Sequence, residues 1–356
     1  MRLDPDSLPS LLEASGVAAE EIHRAVADGP AAVVSLAIER LVIPGSQRLT
    51  RSEVAERAGT DLEEAMQFWR AMGFSDVSDD EPAFTEVDVE MLSRARRLIE
   101  EGFADAEMAL QMTRVMAHAV SRIAASQVEV VRERGRETQA EDEDAAYGFA
   151  MALTAAGVQG LLGDLEDFLV YLWRRHLGAV ADRAVHQVVT GEQAAVVVGF
   201  ADLVGFTAIS QQLAERELAA VVGRFEDAAA AQVAAHRGRI IKMIGDEVMF
   251  TAPDPREGAE IALALVETFA ADDQIPDVRV GLAAGTAVAH RGDLYGPAPN
   301  LASRLVDSAY PASVLVDGTV AAELEGADAF HLKPVRPQRL QGFGRTRMWV
   351  LRRSRA

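Results

Sequence analysis

The stretch RIIKMIGDEVMF, residues 239–250, sets one lysine and two acids inside a run that otherwise reads as buried β-strand. Two short runs rich in Ile, Val, Met and Phe flank Gly245 and Asp246. That pattern predicts a hairpin: a strand over 239–244, a tight turn, and a returning strand over 247–252. Strict alternation places Ile240, Lys242 and Ile244 on one face and Ile241 and Met243 on the other. Lys242 is then the sole charge on an apolar face, and a buried ammonium requires a partner or a ligand.

Outward from the hairpin, strands alternate with helices from Val196 onward. AVVVGFAD, RIIKMI, EVMFTA, VRVGLAAGTAVAHRG, SVLVD, AFHLKP and RMWVL read as strands. ISQQLAERELAAVVGRFEDAAAAQVAAH, DPREGAEIALALVETFAA and APNLASRLVDSA read as helices between them. This order predicts an α+β sandwich on a βαββαβ core. From Leu8 to about His186 the apolar spacing is instead three and four throughout, which predicts an all-helical N-terminal domain over 1–185 with a helical linker near 165–190. Thr85 with Asp88 reads as a capping box, and Gly102 and Gly135 as helix ends. The acidic run 141–144 reads as a solvated helix start.

Two more segments carry chemistry. In VVVGFADLVGFTAIS, residues 196–210, an apolar strand ends at Asp202, and a Gly-containing turn leads to a helix start near Thr207. The backbone N–H groups from Leu203 through Val204, Gly205, Phe206 and Thr207 suit phosphate oxygens. If this strand neighbours the hairpin, Asp202 and Asp246 converge, and two close carboxylates repel unless a cation lies between them. Paired divalent ions, roughly 3.5–4 Å apart, are a usual answer in phosphoryl transfer. In GDLYGPAPNLASRL, residues 292–305, Asp293 precedes a helix whose Asn300 and Arg304 share one face at i and i+4. Both can reach one ligand, with Arg304 placed to stabilise charge on phosphate oxygens.

Together the three segments resemble the class III nucleotidyl cyclases, over about residues 192–352. The resemblance implies a ferredoxin-like βαββαβ catalytic core that converts a nucleoside triphosphate to its 3′,5′-cyclic monophosphate and pyrophosphate. It implies Asp202 and Asp246 as metal ligands, with the Leu203 carbonyl beside them, for two divalent cations, Mg²⁺ or Mn²⁺. Lys242 and Asp293 match the pair that reads adenine; Asn300 and Arg304 match the transition-state pair, Asn300 orienting the ribose and Arg304 contacting phosphate. Adenine offers an acceptor at N1 and a donor at N6, complementary to a lysine and an aspartate, whereas guanine presents the opposite edge. ATP is therefore the expected substrate. The resemblance further implies a head-to-tail homodimer with composite sites, in which one protomer gives the metal aspartates and the other the remaining residues. Where some members place a triphosphate-binding lysine, this chain has Gln341 and Phe343, with Arg339 and Arg345 as alternative cations.

Composition excludes other classes. The chain has 356 residues, no cysteine and a net charge of −20. Residues 1–185 hold 18 Arg, no Lys and 34 acids, a balance of −16, which repels polyanions. Residues 49–74 have a helix-turn-helix look, but the second helix offers Asp61, Glu63, Glu64 and Gln67, so no nucleic-acid partner is expected. No apolar run reaches the roughly 20 residues of a membrane span, and the acidic N-terminus lacks a signal pattern, so the cytoplasm is the expected location. The seven histidines are scattered singly, against a His-rich metal centre; His290 and His331 sit in strand-like runs and read as packed. The N-terminal half resembles the regulatory domain of soluble mycobacterial-type adenylyl cyclases that respond to pH, chiefly in LTRSEVAERAG and FTEVDVEMLSRARRLIEEGF. That resemblance implies restraint of the catalytic module and a proton or a lipid as effector, with His176 and His186 as titratable groups near the linker. Two rival readings remain: a diguanylate-cyclase-like enzyme, since IGDEVMF resembles its GGDEF turn with Ile244 in place of the first Gly, and a catalytically silent nucleotide-binding scaffold.

Overall fold

The computed structural model describes residues 8–14, 17–42, 48–74, 76–137, 161–190, 196–272 and 275–354. The chain divides into two compact units, Met1–Arg183 and Ala184–Ala356.

In the first unit, α1 (Leu8–Ala14), α2 (Ala19–Asp28) and α3 (Pro30–Val42) close on Leu8, Leu12, Ile22 and Val33. A second cluster forms where α4 (Arg51–Ala58), α5 (Leu62–Ala71) and α6 (Glu86–Glu100) bury Trp69, stacked on Phe84 at 4.4 Å between ring centroids. Local signals set these boundaries. Thr50 and Glu53 form a capping box, Gly59 turns left-handed at φ 70° to end α4, and Asp61 accepts the Glu64 N–H at 2.8 Å to start α5. Glu63, Glu64 and Gln67 occupy the exposed face of α5, the wrong charge for a phosphate backbone. The Thr85–Asp88 box forms: Asp88 accepts the Thr85 N–H at 2.7 Å.

Helix α7 (Ala106–Glu137) runs straight through Gly135, so that glycine does not close the helix. One interior glycine costs only about 1 kcal/mol relative to alanine, too little to stop a helix of 32 residues. The acidic run 141–144 lies outside the described residues. Helix α8 (Leu161–Thr190) follows, with His176 exposed on it and the His186 side chain outside those described.

The second unit begins with β1 (Val196–Leu203), α9 (Phe206–Ser210), α10 (Glu215–Ala235), β2 (Arg239–Ile244), β3 (Glu247–Ala252), α11 (Pro255–Ala270) and β4 (Val278–Gly285). There follow β5 (Val288–His290), β6 (Asp293–Tyr295), α12 (Pro297–Ser308), β7 (Ser313–Val316) and α13 (Gly318–Leu324). β8 (Phe330–Pro334), β9 (Gln338–Leu340), β10 (Gly344–Thr346) and β11 (Trp349–Arg353) complete it. The main sheet has the order β2-β3-β1-β4-β7-β11-β8, antiparallel except where β4 meets β7. Its first four strands are the expected βαββαβ core.

Alternation along β1 sorts the two faces. Val197, Ala201 and Leu203 join the core under α10, α11 and α13, while Val198 and Phe200 join the core under α12. Helix α12 sits unusually close to β4 because Gly281 faces it: a Cβ there would lie 2.3 Å from the Val306 nitrogen and 2.4 Å from the Ala302 oxygen. Two readings of longer elements are corrected. The run 278–292 is two strands rather than one, breaking at Thr286 and Ala287, and β5 folds back on β6. The helix expected over 209–236 breaks at 211–214, where the Glu217 carboxylate accepts the Ala214 N–H at 2.9 Å and starts α10 afresh.

Candidate active site

Asp202 is the second-last residue of β1 and shares the face of Val198 and Phe200. Its Cα partners are Glu247 on β3 and Arg279 on β4, so a row of acid, acid and guanidinium crosses three adjacent strands. Asp202 Oδ2 accepts from Arg279 Nε at 2.7 Å, and Nη2 of the same guanidinium lies 2.6 Å from that oxygen in the ion pair. The remaining arm of Arg279, Nη1, donates to the Asp307 carbonyl at 3.2 Å, near the C-terminal end of α12. That end carries partial negative charge, which favours a cation there.

Asp246 occupies the β2–β3 turn with Gly245, whose φ of 62° is the left-handed conformation that glycine adopts without strain. The Asp246 carbonyl accepts the Leu203 N–H at 3.0 Å, which clamps the turn against the end of β1. The two aspartates thereby come within electrostatic reach. Burial raises the Asp202 pKa above its ordinary value; Arg279 pulls it down, and the charges of Asp246 and Asp307 push it up. Glu247 feels the same crowding more strongly: burial first, then Asp202, Asp307 and Asp246, raise it to about 7.

Asp202, Asp246 and the Leu203 carbonyl offer only oxygen donors, which suits a hard divalent ion. The like charges crowded here are what such an ion would neutralise. Among the described residues no group of three or more His, Cys, Asp or Glu side chains forms a cage. An ion held here therefore draws its other ligands from backbone, water or substrate, as Mg²⁺ commonly does.

Glu247 yields a pH prediction. Its native pKa near 7 lies above its ordinary 4.5, so between those values the folded state binds the extra proton. The stability it contributes is complete below the lower value and is lost as pH rises through the higher one. In EDTA, Glu247→Gln is expected to be more stable than the parent at pH 8, by about 1–2 kcal/mol after allowance for solvent screening of a half-buried group. Near pH 4.5 the advantage disappears. Urea midpoints at the two pH values measure it, and equal midpoints at pH 8 contradict the burial of an ionised Glu247.

The second cluster is built on β2 and β6. Lys242 Nζ donates to Asp293 Oδ2 at 2.6 Å, across 51 residues of sequence, with the two side chains 33% and 22% exposed. Asp293 Oδ1 also accepts the Leu294 N–H at 2.8 Å. The Lys242 ammonium, the Leu294 N–H and the Tyr295 hydroxyl outweigh burial and hold the Asp293 carboxyl below its ordinary value. Strict alternation fails in β2. The register slips between Ile240 and Lys242, leaving Ile241 as an extra residue, and Ile240 and Met243 both pack in the core under α10 and α11 while Ile241 packs in the other. A bulge re-aims the residue that follows it. Lys242 accordingly emerges half-exposed at the sheet margin beside Asp293, instead of lying alone on an apolar face.

Asn300 and Arg304 share the outward side of α12; Asn300 is exposed, and Arg304 Nη1 donates to Asp307 Oδ2 at 3.2 Å. In the turn after β1, Gly205 is left-handed at φ 75° and its carbonyl accepts the Ala208 N–H. Two of the N–H groups expected for phosphate are spent in the fold. Leu203 donates to Asp246 and Val204 to the Asp277 carbonyl at 2.8 Å, which leaves Gly205, Phe206 and Thr207. Gln341 and Phe343 lie in the β9–β10 hairpin, where exposed Arg339 stands directly opposite exposed Arg345.

Among the described residues no hydrogen bond or ion pair joins the Lys242–Asp293 pair to Asp202 or Asp246. Arg279 and Glu247 are not legible in the sequence because only strand register reveals them, and Asp307 because its helix meets Arg279 only in the folded chain. The one available signal was an arginine inside the apolar run VRVGL.

Comparison with known proteins gives two family matches: an adenylate cyclase regulatory domain over residues 2–177, and an adenylate and guanylate cyclase catalytic domain over 188–353. An adenylate cyclase of Streptomyces coelicolor is 40% identical over 82% of this chain and 75% of its own length. A pH-sensitive adenylate cyclase of Mycobacterium tuberculosis is 33% identical over 90% of this chain and 82% of its own. Among solved structures, the guanylate cyclase domain of RhGC from Catenaria anguillulae in complex with GTP has 21% identity and a TM-score of 0.42, covering 46% of this chain and 98% of that one. By the two family matches and these relatives, with a helical unit preceding the α+β unit that carries both carboxylates and the lysine–aspartate pair, the chain belongs to the adenylate cyclase family.

Proposed function

We propose that the chain converts ATP to 3′,5′-cyclic AMP and pyrophosphate in a homodimer with composite sites. The observation that carries this reading is the Lys242–Asp293 ion pair at 2.6 Å. It offers a donor and an acceptor side by side, matching adenine N1 and N6. Asp202, Asp246 and the Leu203 carbonyl would hold two divalent ions, Mg²⁺ or Mn²⁺, which supply Lewis-acid activation of the ribose 3′-hydroxyl and neutralise the triphosphate. Asn300 orients the ribose so that its 3′-oxygen lies in line with the α-phosphorus. Arg304 leaves Asp307 to meet the negative charge that grows on the phosphate oxygens. The N–H groups of Gly205, Phe206 and Thr207 receive phosphate oxygens, and Arg339 or Arg345 supplies the cation for the end of the triphosphate.

Two features support a second copy. The base-reading pair and the metal carboxylates form separate clusters in one protomer, and α7 exposes Met108, Met112, Val115, Met116, Val120 and Ile123 at helical spacing. Among the described residues no helix is long and apolar enough to cross a membrane. Assay of the purified chain with ATP and with GTP tests the reading, and cyclic GMP as the main product would refute it.

The relative named as pH-sensitive supports a proton as regulator of this chain. Activity is expected to rise about 3–10-fold between pH 8 and pH 6, as for a switch driven by histidine protonation. Histidine 176 is the exposed candidate on α8. His176→Ala should flatten the profile, and an unchanged profile removes that residue from the response.

A further inference from the structure

We propose that Arg279 is a built-in counter-cation for Asp202 and competes with a divalent ion for its carboxylate. This inference rests on the metal-ligand reading of Asp202 given above. Both Arg279 nitrogens that reach Asp202 bind the same oxygen, Oδ2, at 2.7 and 2.6 Å. A carboxylate oxygen that accepts one charge-assisted hydrogen bond and has a second guanidinium nitrogen against it has little lone-pair capacity left for an ion. Arg279 is held there from two sides: β4 places it directly across from Asp202, and the Asp307 carbonyl fixes its third nitrogen at 3.2 Å.

The surroundings explain why such a residue is present. Asp202 stands beside Glu247 on β3 and the adjoining Asp246 turn, so the ion-free protein would otherwise gather uncompensated carboxylates at one sheet end. A guanidinium is a permanent charge with a planar fork, suited to holding a carboxylate. A cation that takes both oxygens must displace it from Oδ2, and one that binds Oδ1 alone meets the positive guanidinium beside it, so the affinity observed is the intrinsic affinity reduced by that competition. Arg279 is a positioning residue in this role; its effect on the ion passes through Asp202.

Mn²⁺ titration of the nucleotide-free full chain, followed by the electron paramagnetic resonance of free Mn²⁺, reads the competition directly. Arg279→Gln is expected to bind Mn²⁺ about tenfold more tightly than the parent, and Arg279→Lys, which keeps the charge but loses the fork, about threefold. Asp202→Asn should lose this binding. If Arg279→Gln does not fold, Arg279→Lys decides, and unchanged or weaker Mn²⁺ affinity in the folded variant overturns the proposal. Binding that survives intact in Asp202→Asn would overturn the metal-ligand reading itself, and the proposal with it.

Discussion

Mixing Asp202→Ala with Asn300→Ala should restore cyclase activity to about one quarter of the parent level, although each variant alone is nearly inactive. The arithmetic follows from the symmetry of a two-fold dimer. Random exchange makes half of the dimers mixed, and each mixed dimer has one site with all residues and one lacking two. Alone, Asp202→Ala removes a proposed ion ligand from both sites, and Asn300→Ala removes the amide proposed to orient the ribose from both. Losses of about 10²–10³ are ordinary for one positioned polar group in a transition state. The measurement is cyclic AMP production against mixing ratio, with dimer content followed by sedimentation. Absence of recovery in a mixture of dimeric variants would place a whole site within one protomer.

The second large effect concerns the base. Asp293→Ala is expected to lower kcat/KM for ATP by about 10²–10³ and to bring the ATP-to-GTP ratio down from an expected value near 10⁴. The reason is an unpaired group rather than a lost contact. A lysine facing guanine N1–H has donor against donor, and an aspartate facing O6 has acceptor against acceptor. Removing one member relaxes the mismatch with guanine while also removing a bond to adenine. The Lys242–Asp293 pair is joined directly, so Lys242→Ala should give a similar loss, and the double variant should cost less than the two losses added together. Initial rates with both nucleotides check this. A preserved ATP preference in Asp293→Ala would show that the base is read elsewhere.

How far the sequence foretold these sites depends on the kind of contact. The hairpin around Gly245 and Asp246, the strand ending at Asp202 and the helix carrying Asn300 and Arg304 are local patterns, and each folds as its spacing implies. The capping box at Thr85 is equally local. The bulge at Ile241 was invisible because Arg239–Ile244 alternates plausibly either way, and only pairing with β3 exposes the extra residue. Arg279 was invisible for the same reason: its meaning comes from standing opposite Asp202, 77 residues away. Glu247 read simply as the second acid of a turn. Its raised pKa comes first from burial and then from acidic neighbours on β1, on α12 and in its own turn. The break between β4 and β5 hid within a continuous apolar run, since Thr286 and Ala287 carry no turn mark, whereas the β5–β6 turn falls at Arg291 and Gly292, both left-handed.

The contact at Gly281 has a mechanical consequence. With helix backbone 2.3–2.4 Å from where a methyl would stand, α12 cannot slide along the sheet without prising the interior apart. Asn300 and Arg304 are thus bolted to the same plate as Asp202, and a signal has little freedom to reset them within a subunit. In the homodimer proposed above, switching would then turn two stiff plates against each other, as with the jaws of a vice.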